Sequence, residues 1–140
     1  KAETEIVTKE SDSFEIGKAN ILRNGKKVTI IACGTMVSTA LEAGEELDAD
    51  VINLSTIKPL DKETILKSVK KTKQVITVEE HSIYGGMGSA VVEFLSQEYP
   101  VPTKIIGIRD CFGQSAREYQ ELLDKYELTV ENIIETYKLF

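Results

Sequence analysis

Apolar residues recur along this chain in two alternating rhythms. Four short runs, VTIIA (Val28–Ala32), DVINL (Asp50–Leu54), QVITVE (Gln74–Glu79) and KIIGI (Lys104–Ile108), are rich in β-branched residues and nearly continuous in apolar character. Such runs predict strands buried on both faces. Between them, apolar or small residues repeat at helical spacing: Val37, Ala40, Leu41, Gly44 and Leu47 within Met36 to Leu47, then Ile65, Leu66 and Val69. A third stripe, Met87, Ala90, Val91, Phe94 and Leu95, follows Gly85-Gly86-Met87-Gly88 and is broken by Pro100-Val101-Pro102. Thr35 and Asp61 stand where side-chain N-caps are expected for the first two helices. The tail predicts one helix near Arg117–Tyr126 and another over Thr129–Tyr137, with Val130, Ile133, Ile134 and Tyr137 on one side.

Strand-helix alternation implies parallel strands, right-handed crossovers and helices on both faces. One element departs from it. Asn24-Gly25 follows Ala19 to Arg23 and predicts a tight hairpin, since both residues tolerate positive φ. The first strand is therefore expected to pair antiparallel with Val28–Ala32. The predicted fold is an α/β three-layer α/β/α sandwich with a mixed sheet of about five strands, one of them an antiparallel edge strand. Residues 1–14 (KAETEIVTKESDSF) are polar without sustained period and predict a linker from a preceding domain, leaving 15–140 as the folded domain.

Length and charge narrow the classes. The 140 residues suit one domain with a real core. A net charge of -6 gives no phosphate-tracking surface and argues against a nucleic-acid partner. No apolar run approaches the ~20 residues of a membrane span, so no membrane partner is expected. Cys33 and Cys111 form no C-x-x-C pair and imply no metal site. Sparse cysteine fits a reducing, cytoplasmic setting. The chain opens on Lys1 without a signal-peptide pattern, which reads as a piece of a longer protein.

Ligands of open α/β sheets bind outside the carboxyl ends of the strands. Three segments are expected there: Cys33-Gly34-Thr35, Leu54-Ser55-Thr56, and Glu79 through Gly88. Gly85, Gly86 and Gly88 open a helix after a strand, a context that can cradle phosphate. Yet Val91 stands at the third glycine of the dinucleotide fingerprint, and Glu79 and Glu80 would repel an anion. A tight turn and a close helix–sheet approach are the favoured role of these glycines. His81 is the catalytic candidate. Glu79, two residues earlier, would share its side of the strand and could orient it as a general base. A structural or interface role stays open beside that one. Gly34, Thr35, Glu79, Glu80, His81, Gly85, Gly86 and Gly88 together form the expected ligand or interface set. Asp110 to Ser115 reads as a returning turn or binding loop, with Ser115 capping the next helix.

Several of these segments resemble the C-terminal domain of transketolases, in order and spacing. They are Phe14-Glu15-Ile16-Gly17-Lys18-Ala19, VTIIACGTMV (Val28–Val37), Leu60-Asp61-Lys62-Glu63-Thr64-Ile65, TVEEHSIYGGMGSAV (Thr77–Val91) and Phe112-Gly113-Gln114-Ser115-Ala116. The sugar-phosphate branch is the most similar. Deoxyxylulose-phosphate synthases and the β subunits of 2-oxo acid dehydrogenases share the turns. Arg117 departs from the family, where proline is common at that place. The resemblance implies part of an enzyme, a dimer in full, that moves a two-carbon ketol unit between sugar phosphates in the pentose phosphate pathway. It implies thiamine diphosphate and Mg²⁺ held by other domains or a partner subunit, with no cofactor on this chain. The implied role here is dimer and interdomain packing without catalysis by the domain alone; a regulatory-ligand module is the alternative.

Overall fold

The structure is a computed structural model that describes residues 4–140. Residues 1–3 of the expected linker lie outside that range. The chain forms β1 (Asn20–Arg23), β2 (Thr29–Ala32), α1 (Met36–Leu47), β3 (Asp50–Asn53), α2 (Lys62–Thr72), β4 (Val75–Ser82), α3 (Met87–Glu98), β5 (Thr103–Ile108), α4 (Tyr119–Lys125) and α5 (Val130–Tyr137). One five-stranded sheet has the order β1-β3-β2-β4-β5. β3, β2, β4 and β5 run parallel, and β1 closes one edge antiparallel to β3.

Period two along the central strands divides the core in two. Ile30, Ile76 and Val78 join Val37, Ala40, Leu128 and Ile133 in a layer under α1 and α5. Ile31, Ile52 and Val75 join Ile65, Val69, Met87, Val91 and Leu95 in a layer under α2 and α3. Neighbouring residues of one strand thus feed opposite cores, which explains why these strands read as unbroken apolar runs. Asp61 caps α2 as expected, accepting the Thr64 N–H at 3.1 Å and the Ala19 N–H at 2.9 Å.

The hairpin expectation fails. β1 pairs with β3, not β2: Asn20 faces Asn53, and Ile21 faces Ile52. Neither Asn24 nor Gly25 takes the positive φ of a type I′ turn. A buried polar network decides the route instead. The Gly25 N–H donates to Asp50 Oδ1 at 2.8 Å, while the N–H groups of Lys26 and Lys27 donate to the Asp48 carbonyl. Gly25 is needed there, because a side-chain carbon would lie 2.3 Å from that carbonyl oxygen. Asp50 also accepts from Ser68 at 2.6 Å and pairs with Lys71 at 2.5 Å. The chain therefore crosses the end of β3 before entering β2. Ser115 is not a cap either: α4 starts at Tyr119, and Glu118 and Glu121 form a reciprocal capping box.

Replacing Asp50 by alanine leaves the Gly25 N–H without its acceptor and Lys71 without its counter-ion. Lys71 is 43% exposed, so the loss belongs at the low end of the range for broken buried pairs: on the order of 3 kcal/mol. Urea denaturation of Asp50→Ala measures it, and wild-type stability would contradict the network's role.

Candidate functional site

A groove of about 470 Å³ opens at the carboxyl end of the sheet. Gly34 and Thr35 from the β2–α1 turn line it, with Glu79, Glu80 and His81 from β4 and Gly85 and Gly86 from the head of α3. Seven of the eight expected residues therefore converge. Gly88 is the exception; it lies buried against the sheet, where an added Cβ would meet Thr77 Oγ1 at 2.5 Å. Cys33, Ile57 and Met87 complete the lining. Of the second strand-end segment, the groove takes Ile57 instead of Leu54, Ser55 or Thr56.

Glu79 organises this end of the molecule. Its side chain is buried, at 1% exposure, and its carboxylate accepts the N–H of Met87 at 2.7 Å and of Gly88 at 2.8 Å. These are N–H groups of the first turn of α3, which have no intrahelical partner. The N-cap position itself is Gly86, which has no side chain to offer. A distant carboxylate thus performs the capping, and it sits at the positive end of the helix dipole. The approach needs glycine: a Cβ on Gly86 would lie 2.4 Å from Glu79 Oε2. The phosphate-cradle possibility ends here, because the cradle already holds the protein's own anion.

The expected pairing of Glu79 with His81 is also corrected. β4 and β5 lose register in this stretch: Val78 faces Ile106 and Ser82 faces Ile108, so four steps on β4 match two on β5. The bulge breaks the period-two argument. Glu79 turns inward, while Glu80 and His81 are exposed. His81 Nδ1 lies 3.1 Å from the Ser82 carbonyl. That oxygen can only accept, so the bond forms in the tautomer that carries the proton on Nδ1 and leaves Nε2 as an acceptor. The Glu79 oxygens turn to α3 and neither bonds the imidazole, so no carboxylate orients His81 as a general base.

Glu80 has partners that were not foreseen. Thr35 does not cap α1; its hydroxyl donates to Glu80 Oε2 at 2.8 Å. The Tyr119 hydroxyl donates to the same oxygen at 2.5 Å. Burial, and then the bond to Glu80, push the Tyr119 hydroxyl above its usual range. Tyr119 lies 39 residues from Glu80, and no local pattern marks the pair. Cys33 is half-buried beneath the groove, and its thiol is pushed up to about 11, first by burial and then by the Glu79 charge. Asp110 to Ser115 does not line the groove, and Phe112 stands 96% exposed.

The family described as "Transketolase, C-terminal domain" matches residues 17–133. The chain belongs to that family. It is 45% identical over 134 residues to the 6-deoxy-6-sulfo-D-fructose transketolase subunit SqwH of Clostridium sp. (strain MSTE9), covering 91% of this chain and 41% of that protein. It is 44% identical over 133 residues to the 1-deoxy-D-xylulose-5-phosphate synthase of Pelotomaculum thermopropionicum, covering 88% of this chain and 21% of that one. A solved split-gene transketolase, described as an inactive β4 tetramer, superposes with a TM-score of 0.89 at 41% identity, over 96% of this chain and 46% of that chain. The chain thus spans less than half the length of each of these relatives.

The transketolase C-terminal domain offers a poor seat for a diphosphate and its Mg²⁺. The N-terminus of α3 in the groove faces a carboxylate, and no Lys or Arg lines the groove among the described residues. No three His, Cys, Asp or Glu side chains come together as a cation site among those residues. No helix of the described residues is long and apolar enough to cross a membrane.

Two outcomes are expected of this end of the sheet. Glu79→Ala strands two buried N–H groups and should lower unfolding stability by about 2–3 kcal/mol. Glu79→Gln keeps one acceptor oxygen and should lose less; equal stability of all three proteins in guanidinium titrations would refute the capping role. For Cys33, thiolate becomes the major form only near pH 11, whereas Cys111 is exposed. At pH 7.5 iodoacetamide should modify Cys111 first, and Cys33 should gain reactivity as pH rises toward 11. Peptide mass spectrometry across that range reads both sites; equal rates at neutral pH would contradict the assignment.

Proposed function

We propose that this chain is the C-terminal section of a transketolase-type enzyme and that it packs against the enzyme's other domains or subunit without catalysing ketol transfer itself. One observation carries the reading. The whole fold, 96% of the chain at 41% identity, superposes on part of a split-gene transketolase. That relative is described as inactive in its β4 form, which suits a section that needs a partner.

In this reading the enzyme moves a two-carbon ketol unit between ketose and aldose phosphates, in the manner of the pentose phosphate pathway. Thiamine diphosphate and Mg²⁺ supply the carbanion chemistry from residues outside these 140. This domain contributes surface. Phe14, Ile16, Ile57, Tyr84 and Phe112 are large apolar side chains left exposed, a feature of partner-facing surfaces when clustered. Ile57, Tyr84 and Phe112 all follow strand carboxyl ends, which places them at one end of the domain. A cytoplasmic setting fits the unpaired cysteines, and a homodimer of the complete enzyme belongs to the same reading. A second reading rests on the 44% identity to a deoxyxylulose-phosphate synthase: the same section within that enzyme.

Calorimetric titration of thiamine diphosphate with Mg²⁺ into the purified chain should give no binding heat. Turnover of a ketose phosphate with an aldose phosphate should appear only when the remaining part of the enzyme is added. Micromolar cofactor binding by this chain alone would overturn the proposal. Formation of 1-deoxy-D-xylulose 5-phosphate by the reconstituted enzyme would select the second reading.

A further inference from the structure

The groove at the carboxyl end of the sheet has the size of a small-ligand site, within the roughly 300–1,000 Å³ usual for such pockets. Its polar groups are of one kind. Glu80 holds both of its hydroxyl donors, Thr35 and Tyr119, on Oε2. Oε1 has no partner among the described residues, and the two bonds fix the direction of the carboxylate. His81 adds an acceptor in the tautomer whose Nδ1–H donates to the Ser82 carbonyl, which leaves the lone pair on Nε2. Glu79 adds a third acceptor and a second negative charge at the floor, each oxygen bonded to one N–H and able to accept again. Ile57 and Met87 give the groove apolar wall. Against these acceptors stands no cationic side chain in the lining among the described residues. Two helix N-termini reach the groove: that of α3 is covered by Glu79, and that of α1, behind Gly34 and Thr35, stays without a side-chain cap.

We infer that this groove is a binding site for a small organic amine, whose ammonium group is held between the Glu80 carboxylate and His81 while its short apolar body rests against Ile57. Three donors on an ammonium match three acceptors arranged around one opening. The unit charge meets Glu80 at an exposed site, so the attraction is modest and sensitive to salt. A phosphate or carboxylate ligand meets the Glu79 and Glu80 carboxylates with like charge and is disfavoured. The site shares Ile57 with the surface proposed above to face a partner, so it is tested on this chain without that partner.

Amide chemical shifts of the ¹⁵N-labelled chain at pH 7.5 test it, with n-butylammonium chloride as probe and sodium phosphate and sodium chloride as matched controls. Butylammonium should move the Gly34, Thr35, Gly85 and Gly86 amides along a saturable curve with a dissociation constant in the millimolar range; neither control should. Glu80→Gln should weaken the curve at least tenfold. His81→Phe, which leaves the Thr35–Glu80–Tyr119 contacts in place, should weaken it severalfold. Glu93→Gln, on an exposed turn of α3 away from the groove lining, should leave it unchanged. Saturable shifts with phosphate, no shifts with butylammonium, or an unaltered curve in both Glu80→Gln and His81→Phe would each overturn the assignment.

Discussion

The carboxylate of Glu79 at the head of α3 is the contact on which the carboxyl end of this sheet depends. A buried carboxylate is costly unless its oxygens are hydrogen-bonded, and the first N–H groups of a helix are costly unless something accepts from them. Each problem solves the other when strand β4 and helix α3 are brought together. The solution has a steric condition. Glu79 reaches the helix only because Gly86 and Gly88 carry no side chain, the first against the carboxylate and the second against Thr77. The β4 bulge follows: with Glu79 turned inward, Glu80 and His81 are displaced toward solvent, and Gly107 of β5 lies close enough that a Cβ would meet the His81 carbonyl at 2.8 Å.

The opposite end of the sheet is held by a second buried acid. Asp50 collects the Gly25 N–H, the Ser68 hydroxyl and the Lys71 ammonium, while Thr29 bonds Ser68 and Thr72 beside it. This network ties the loop before β2, the start of β3 and helix α2 to one point. It also fixes the strand order. With residues 24–27 anchored across the end of β3, β1 is left outside β3 and β2 is left in the centre. The two acids thus do different work: Asp50 specifies topology, and Glu79 shapes a surface.

The fold was legible wherever periodicity alone decides it. Four parallel strands, three crossover helices and two tail helices follow from runs such as Val28–Ala32 and stripes such as Met87, Val91 and Leu95, because burial imposes those spacings. The Asn24-Gly25 turn was misread because a local propensity competed with a long-range acceptor, and Asp50, 25 residues away, won. The site was legible as a place: strand ends gather Gly34, Thr35, Glu79, Glu80 and His81. Its wiring was not. Thr35 reads as a cap by local rule, yet its hydroxyl serves Glu80. Tyr119 leaves no trace in sequence because its partner lies on another element. The bulge removed the one period-two relation, Glu79 with His81, on which a catalytic role had been argued.

These outcomes bear on how the general rule for α/β sheets applies here. The rule places ligands outside strand carboxyl ends, and its usual physics is an anion meeting helix N-termini. In this domain the place survives and the physics changes sign. The helix end is already neutralised from within, so the groove presents Glu79, Glu80 and the Nε2 lone pair of His81 to whatever enters. Adding a glycine-rich turn to a strand end does not make an anion site when the strand supplies its own carboxylate two positions before a histidine. The residue that decides the charge of such a groove is therefore not in the glycine turn at all. It is the last inward-facing side chain of the preceding strand, where a neutral residue would leave the N–H groups of α3 free and where Glu79 occupies them.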